Sequence, residues 1–104
     1  MQVEILYFEA CPNWEETLSR VREAAAIVGC EIDIRCRPIS SDAEASASLL
    51  AGSSTVLVDG SDAFDDAVQV DELACRVYRT DSGFAGSPTV EHLVSVLRAR
   101  RGPD

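Results

Sequence analysis

Apolar and polar residues follow one another along this chain in patterns that predict strands and helices in alternation. A nearly continuous apolar run at the start is typical of a central strand covered on both faces; it comprises Val3, Ile5, Leu6, Tyr7 and Phe8. Apolar residues then recur at spacings of four and three, which predicts a helix over residues 13–28 that stops at Gly29. Strict alternation over residues 30–37 predicts a half-exposed edge strand. A strand, helix and strand of this length form a right-handed crossover, so the first two strands are predicted to be parallel.

The second half of the chain predicts two further helices and two further strands. The pair Asp59-Gly60 is a turn signal directly after the third strand, so this strand is expected to enter a hairpin-like connection. Ser87 and Pro88 are suited to cap and open the last helix. The expected elements are helices over 43–51 and 89–100, strands over 56–58 and 73–79, and a solvated acidic loop over 61–72.

Cys11 stands at the junction between the first strand and the first helix. Pro12 suits a first helical turn because its φ is fixed and it has no amide hydrogen. Glu15 and Glu16 favour the positive end of the same helix. A sulfur close to unpaired helix amides is stabilised as a thiolate. The pattern therefore indicates a nucleophilic cysteine, although nearby glutamates oppose its ionisation.

The segment Tyr-Phe-Glu-Ala-Cys-Pro-Asn-Trp, from Tyr7 to Trp14, resembles the thioredoxin superfamily. It is most similar to small bacterial thioredoxin-like proteins, some of which are labelled organomercury-lyase-like. Thioredoxins have a second cysteine three residues after the first, and Trp14 stands in that place. The resemblance therefore implies that Cys11 is the catalytic, attacking sulfur and that no resolving sulfur lies beside it.

The same resemblance implies an α/β, thioredoxin-like fold in one domain over residues 1–104, with a four-stranded mixed sheet in the order 2-1-3-4 and three flanking helices. The family has a cis-proline before its third strand, facing the catalytic cysteine, and Ser54 stands there in this chain. A cis bond before a residue other than proline costs about 3 kcal/mol, so the Ser53–Ser54 bond is expected to be trans. Arg79 is expected near Cys11, where its charge would offset the glutamates. The residues expected to line the site are Pro12, Asn13, Trp14, Ser54, Thr55 and Arg79.

The remaining cysteines are assigned from the implied strand order. Cys36 lies near the same end of the sheet as Cys11, on the parallel neighbouring strand, so it is expected to be the nearest thiol and is the candidate for a remote resolving thiol, the alternative being a small thiol from solution. Cys30 and Cys75 are expected to be buried and unpaired, because unpaired cysteine is among the most buried residue types.

Composition narrows the class of protein. The chain has 104 residues, 46% of them hydrophobic, and a formal net charge of −9, with a pI near 4.4. An acidic chain of this kind lacks the basic surface that nucleic acids and anionic membranes require. No apolar run approaches the length of a membrane span and no leader is recognisable, so a cytoplasmic protein with reduced thiols is expected. Cysteine and histidine spacing indicates neither a metal site nor a cofactor, and the oligomeric state is left open.

Three functions remain open at this point. The first is thiol–disulfide or electrophile chemistry by Cys11 as a single thiol, with a small thiol or a protein disulfide as partner. The second is a catalytically silent thioredoxin-fold binding module, and the third is soft-metal binding, including mercury, by Cys11 and Cys36. Cys11 is predicted to be the fastest-reacting thiol, and Trp14 is predicted to prevent turnover of the dithiol kind.

Overall fold

The computed structural model describes residues 1–64, 73–80 and 83–101, and these form a mixed α/β domain. The elements in chain order are β1 (Gln2–Tyr7), α1 (Trp14–Val28), β2 (Asp33–Pro38), α2 (Asp42–Ala47), β3 (Thr55–Val58), β4 (Ser61–Asp62), β5 (Tyr78–Thr80), β6 (Gly83–Ala85) and α3 (Val90–Arg101). Three helices were predicted and three are present in the described part. None of them is long and apolar enough to cross a bilayer.

The central sheet has the order β2-β1-β3-β4, which confirms the predicted strand order. β1 pairs in parallel with β2, with Ile5 opposite Cys36, and antiparallel with β3, with Ile5 opposite Val56. The crossover through α1 therefore connects parallel neighbours, as predicted. β2 is mostly exposed, so the prediction of an edge strand is also confirmed.

The two faces of the sheet are covered differently. Side chains of successive strand residues point to opposite faces, and on β1 this places Val3 and Ile5 on one face and Leu6 on the other. The first face packs against α1 and α3 in the larger cluster; its buried members are Val3, Ile5, Val21, Ala24, Ala25, Val56, Val58, Ala63, Leu93 and Leu97. The second face packs around α2 in a smaller cluster of Leu6, Ile39, Ala45, Leu50 and Leu57.

The helix ends depart from the prediction in ways that side chains explain. α2 ends at Ala47 rather than at residue 51, because the Ser48 hydroxyl donates to the Ala45 carbonyl and accepts from the Leu50 amide, which diverts the backbone from helical bonding. α3 is capped by Thr89, whose hydroxyl accepts from the His92 amide. Ser87, predicted as the cap, is instead bonded to α1 residues described below.

The fourth strand lies elsewhere in the chain than predicted. Asp59 and Gly60 have φ of 49° and 88°, which is typical of a two-residue type I′ hairpin turn. This tight turn returns the chain at once, so Ser61 pairs with Val58 and Asp62 with Leu57. Residues 61–62 were predicted as the start of a loop, and the rest of that loop from residue 65 to 72 lies outside the described residues.

Residues 73–79, predicted as the fourth strand, form no ladder with β3. β5 pairs with β6 in a separate two-stranded sheet, and Cys75 forms a single parallel bridge with Ser53. The prediction was wrong because the edge position beside β3 is taken by the shorter β4.

Candidate functional site

Cys11 is buried in the turn between β1 and α1. Its residue is only 1% exposed, and its amide donates to the Phe8 carbonyl over 3.0 Å, which closes the turn. The Cys11 Sγ lies 3.6 Å from the Ser53 carbonyl oxygen, to which the thiol donates. α1 begins three residues later, at Trp14. The Cys11 sulfur therefore contacts the segment before β3 and one further thiol.

That further thiol is Cys75, whose Sγ lies 3.6 Å from the Cys11 Sγ. Backbone bonds place it there: the Ser53 amide donates to the Ala74 carbonyl and the Arg76 amide donates to the Ser53 carbonyl, each over 2.7 Å. Cys75 was expected to be a buried core residue, and this expectation is wrong because the residue is exposed. Cys30, also expected to be buried, is only partly so.

Cys36 does not occupy the place expected for it. It is exposed and pairs with Ile5, two residues before the end of β1. The prediction that Cys36 is the thiol nearest Cys11 is therefore wrong, and Cys75 takes that position. The reason is that the bridge at Ser53 brings residues 73–76 past Cys11, and strand order alone does not reveal this bridge.

The segment before β3 adopts a conformation that the sequence did not predict. The Ser53–Ser54 peptide bond is cis, whereas a trans bond was expected. The expectation rested on the intrinsic preference of the peptide bond alone. In the folded protein, hydrogen bonds hold the backbone on both sides of this bond. The Tyr78 hydroxyl donates to the Ser54 carbonyl over 2.5 Å, and the Thr55 hydroxyl donates to the Gly52 carbonyl over 2.6 Å.

Three buried hydroxyl groups connect this segment to the start of α1. The Ser54 hydroxyl donates to Thr17 Oγ1 over 2.7 Å, and Thr17 Oγ1 lies 3.0 Å from Ser87 Oγ. The Ser87 hydroxyl lies 3.2 Å from the Asn13 carbonyl oxygen, which can accept its proton. Thr17 and Ser54 are fully buried and Ser87 nearly so. Because each of these three hydroxyls has a hydrogen-bond partner, the connected hydroxyls fix the Cys11 turn relative to β3, and none of them is left unsatisfied.

Trp14, on the first turn of α1, has a packing role. Its ring stacks on Tyr7 with centroids 4.2 Å apart and planes 18° apart. Pro12 is exposed, and Asn13 is half-buried. A Cβ built on Gly86 would collide with the side-chain amide group of Asn13, so Gly86 permits the close approach of its loop to the Cys11 turn.

The two arginines of residues 73–80 lie in different surroundings, and the sequence suggested a role for Arg79 alone. Arg79 is exposed, and its guanidinium lies 6.0 Å from the Phe84 ring, so its expected charge-offsetting contact with the site is not observed. Arg76 is 7% exposed and binds Asp62 through both guanidinium nitrogens, at 2.8 and 3.3 Å. Its guanidinium also lies 4.5 Å from the centre of the Tyr78 ring.

This arrangement shows why Cys75 was missed. Cys75 was expected to be buried because unpaired cysteine usually is, and that general preference does not show which face of residues 73–79 turns inward. In the structure Arg76 and Tyr78 point inward, since Asp62 and the Ser54 carbonyl satisfy them. The exposed face then carries Leu73, Cys75, Val77 and Arg79.

The acidity of Cys75 reflects its position against Cys11. Its pKa is raised above the ordinary thiol value, first by desolvation, then by the hydrogen bond with Cys11 and by the negative charge of Cys11 when that thiol is ionised. All three causes disfavour the thiolate. At neutral pH the raised pKa therefore keeps Cys75 mainly as the thiol.

We expect the alkylation rate of Cys75 to rise with pH around a midpoint above that of an unfolded cysteine. Cys11→Ala removes the hydrogen bond and the charge, so the midpoint should fall, while the desolvation remains. Iodoacetamide labelling followed by peptide mass spectrometry measures both profiles. Cys36→Ser is the control and should leave the Cys75 profile unchanged; an equal shift in that variant would contradict the assigned causes.

The described residues contain no group of three or more histidine, cysteine or carboxylate side chains that could hold a metal ion. The chemistry they do support is sulfur chemistry, because two sulfurs in contact can be joined by closing the remaining gap of about 1.5 Å to the length of a disulfide bond. No family model, curated protein or solved structure matches the chain.

Proposed function

We propose that this chain is a thioredoxin-like protein that carries out thiol–disulfide exchange with Cys11 and Cys75 as its redox pair. The observation that carries the proposal is the 3.6 Å distance between the two sulfurs. The chain holds them together although they are 64 positions apart. Two free thiols in contact can cycle between a dithiol and a disulfide, which is the chemical requirement for turnover.

Several features support the thioredoxin-like part of the proposal. Cys11 follows the central strand and precedes α1, as the resemblance implies for the catalytic cysteine. The Ser53 carbonyl faces its sulfur from the segment where the family has its cis-proline. The sheet has the implied order, with β3 antiparallel to β1.

The pair also supplies what the first helical turn lacks. Trp14 occupies the place of the family's second cysteine, so a mixed disulfide formed at this site cannot be resolved from within the turn. Cys75 approaches from a different part of the chain and provides the second sulfur. A protein disulfide or a small-molecule disulfide is then the substrate, and a small thiol returns the pair to the reduced form.

Mild oxidation of the purified protein should form a disulfide between Cys11 and Cys75. We expect peptide mapping without reductant to recover residues 11 and 75 in one cross-linked species, and expect added dithiothreitol to remove it. Cys36→Ser is the matched control, because it deletes an exposed thiol and should form the same cross-link at the same rate.

A cross-link from Cys11 to Cys36 would contradict this pairing. If instead both Cys11 and Cys75 remain alkylatable after oxidation of the folded protein, the redox function fails and a catalytically silent binding module becomes the better account.

A further inference from the structure

The two sulfurs of the proposed pair differ sharply in access. Cys11 is 1% exposed, whereas Cys75 is exposed on the outward face of residues 73–80. Leu73 and Val77, on the same face, are 37% and 63% exposed. A molecule arriving from solvent therefore meets Cys75 first, between two apolar neighbours.

We propose that Cys75 attacks the substrate disulfide and that Cys11 resolves the resulting mixed disulfide. This assignment rests on the function proposed above and reverses the roles that the family resemblance implies. The attacking sulfur must approach a substrate sulfur to about 2 Å, the length of the bond that forms. Cys75 is an exposed residue that a substrate can approach from solvent, whereas Cys11 is buried against Ser53 and Cys75, which must move apart before a substrate reaches it.

The second step fits the same geometry. Once the substrate is attached to Cys75, the buried Cys11 sulfur is 3.6 Å from the Cys75 sulfur. Cys11 can then attack the Cys75 sulfur from within while the substrate thiolate leaves outward. A mixed disulfide on Cys11 would have to place the substrate in a position that protein atoms already fill.

The steps balance as an ordinary two-electron exchange. The Cys75 thiolate forms a bond to one substrate sulfur, and the other substrate sulfur leaves as a thiolate and takes up a proton. Cys11 loses its proton to solvent, bonds to the Cys75 sulfur and releases the second substrate thiolate. The substrate disulfide is reduced to two thiols, and Cys11 and Cys75 are oxidised to one disulfide.

Access and acidity act in opposite directions on Cys75. Its raised pKa lowers the fraction of thiolate at neutral pH, but a more basic thiolate is also more nucleophilic, which offsets part of that loss. For Cys11 there is no such compensation. Because Cys11 is buried, the rate at which it can attack a substrate is limited by the population of a locally opened state. Access therefore decides the order.

The test uses the full chain with Cys30→Ala and Cys36→Ser, so that Cys11 and Cys75 are the remaining thiols. Dithiodipyridine is a suitable probe because it is neutral, fits an apolar surface and reports each released pyridinethione by absorbance.

In the protein that keeps Cys11 and Cys75, the probe should release both of its halves and leave no adduct. Adding Cys11→Ala should release one half and trap the other on Cys75 at the rate of the first step. Adding Cys75→Ala should slow the first release by about tenfold or more, the factor set by local opening.

A second measurement needs no substitution. Brief alkylation of the reduced natural chain, read by peptide mass spectrometry, should modify Cys75 before Cys11, and circular dichroism of each variant establishes that it is folded. A fast, stable adduct on Cys11 in the Cys75→Ala variant, with Cys11 alkylated first in the natural chain, overturns the order but leaves the proposed redox pair intact. Trapped adducts on both sulfurs in the background protein, with no disulfide formed, overturn the proposed function itself.

Discussion

Gly52→Ala should lower the free energy of unfolding by about 2–5 kcal/mol, the sum of an unfavourable backbone conformation and an overpacked contact. Gly52 has φ of +99°, and a Cβ at this position would lie 2.8 Å from the Arg76 Cα. Backbone atoms cannot rotate away as the end of a side chain can, so residues 74–76 must shift. The same shift should move Cys75 away from Cys11 and slow formation of their disulfide. Chemical denaturation and the oxidation assay measure the two effects.

Gly60→Ala is the matched control for this prediction. Gly60 also has a positive φ, +88°, but a Cβ there would meet no atom within 4 Å. The Gly60→Ala variant should therefore lose only the free energy of unfolding that the unfavourable backbone conformation costs, about 1–2 kcal/mol. Its rate of disulfide formation should be unchanged. Equal losses in the two variants would show that the close approach to Arg76 contributes nothing.

Asp62→Ala should destabilise the fold by about 3–5 kcal/mol, because it leaves the buried charge of Arg76 without its carboxylate. The two side chains are 6% and 16% exposed, and their contact connects β4 to residues 73–80. Thermal or denaturant unfolding measures the loss. The double variant with Arg76→Met should recover part of it, since the uncompensated charge is then removed.

An exposed ion pair provides the comparison. Glu16 and Arg20 lie one helical turn apart at 2.5 Å, closer than Arg76 and Asp62, but their side chains are 55% and 31% exposed. Glu16→Ala should therefore cost no more than about 0.5 kcal/mol. A loss in Asp62→Ala as small as that in Glu16→Ala would mean that the Arg76 pair is not a structural contact of the folded protein.

The parts of the fold that local sequence determines were predictable. The apolar run of β1, the helical periodicity up to Gly29 and the Asp59-Gly60 turn each act over a few residues. Gly29 has φ of +76° and its amide bonds to the Ala25 carbonyl, which is the helix stop that the sequence indicated. These signals, with the crossover rule, predicted the parallel pairing of β1 with β2, whereas the place of β3 beside β1 was implied by the family resemblance.

The candidate site was predictable only on its Cys11 side. Cys75 reaches Cys11 through one bridge to Ser53, which has no periodic signature in the sequence. Cys75 was expected to be buried from the general preference of unpaired cysteine, but in the structure Arg76 and Tyr78 are the buried residues and Cys75 is exposed. The pairing of Arg76 with Asp62 and the bond from Tyr78 to the Ser54 carbonyl hold this face inward, and both contacts join residues that are distant in the sequence.

If Cys11 and Cys75 form the proposed disulfide, their separation along the chain makes folding and oxidation mutually dependent. A bond between residues 64 positions apart would remove about 4 kcal/mol of chain entropy from the unfolded state. In a closed thermodynamic cycle the same free energy must favour the cross-link in the folded chain over the unfolded one. A reductant would then act on this protein as a mild denaturant, and a denaturant would make the disulfide easier to reduce.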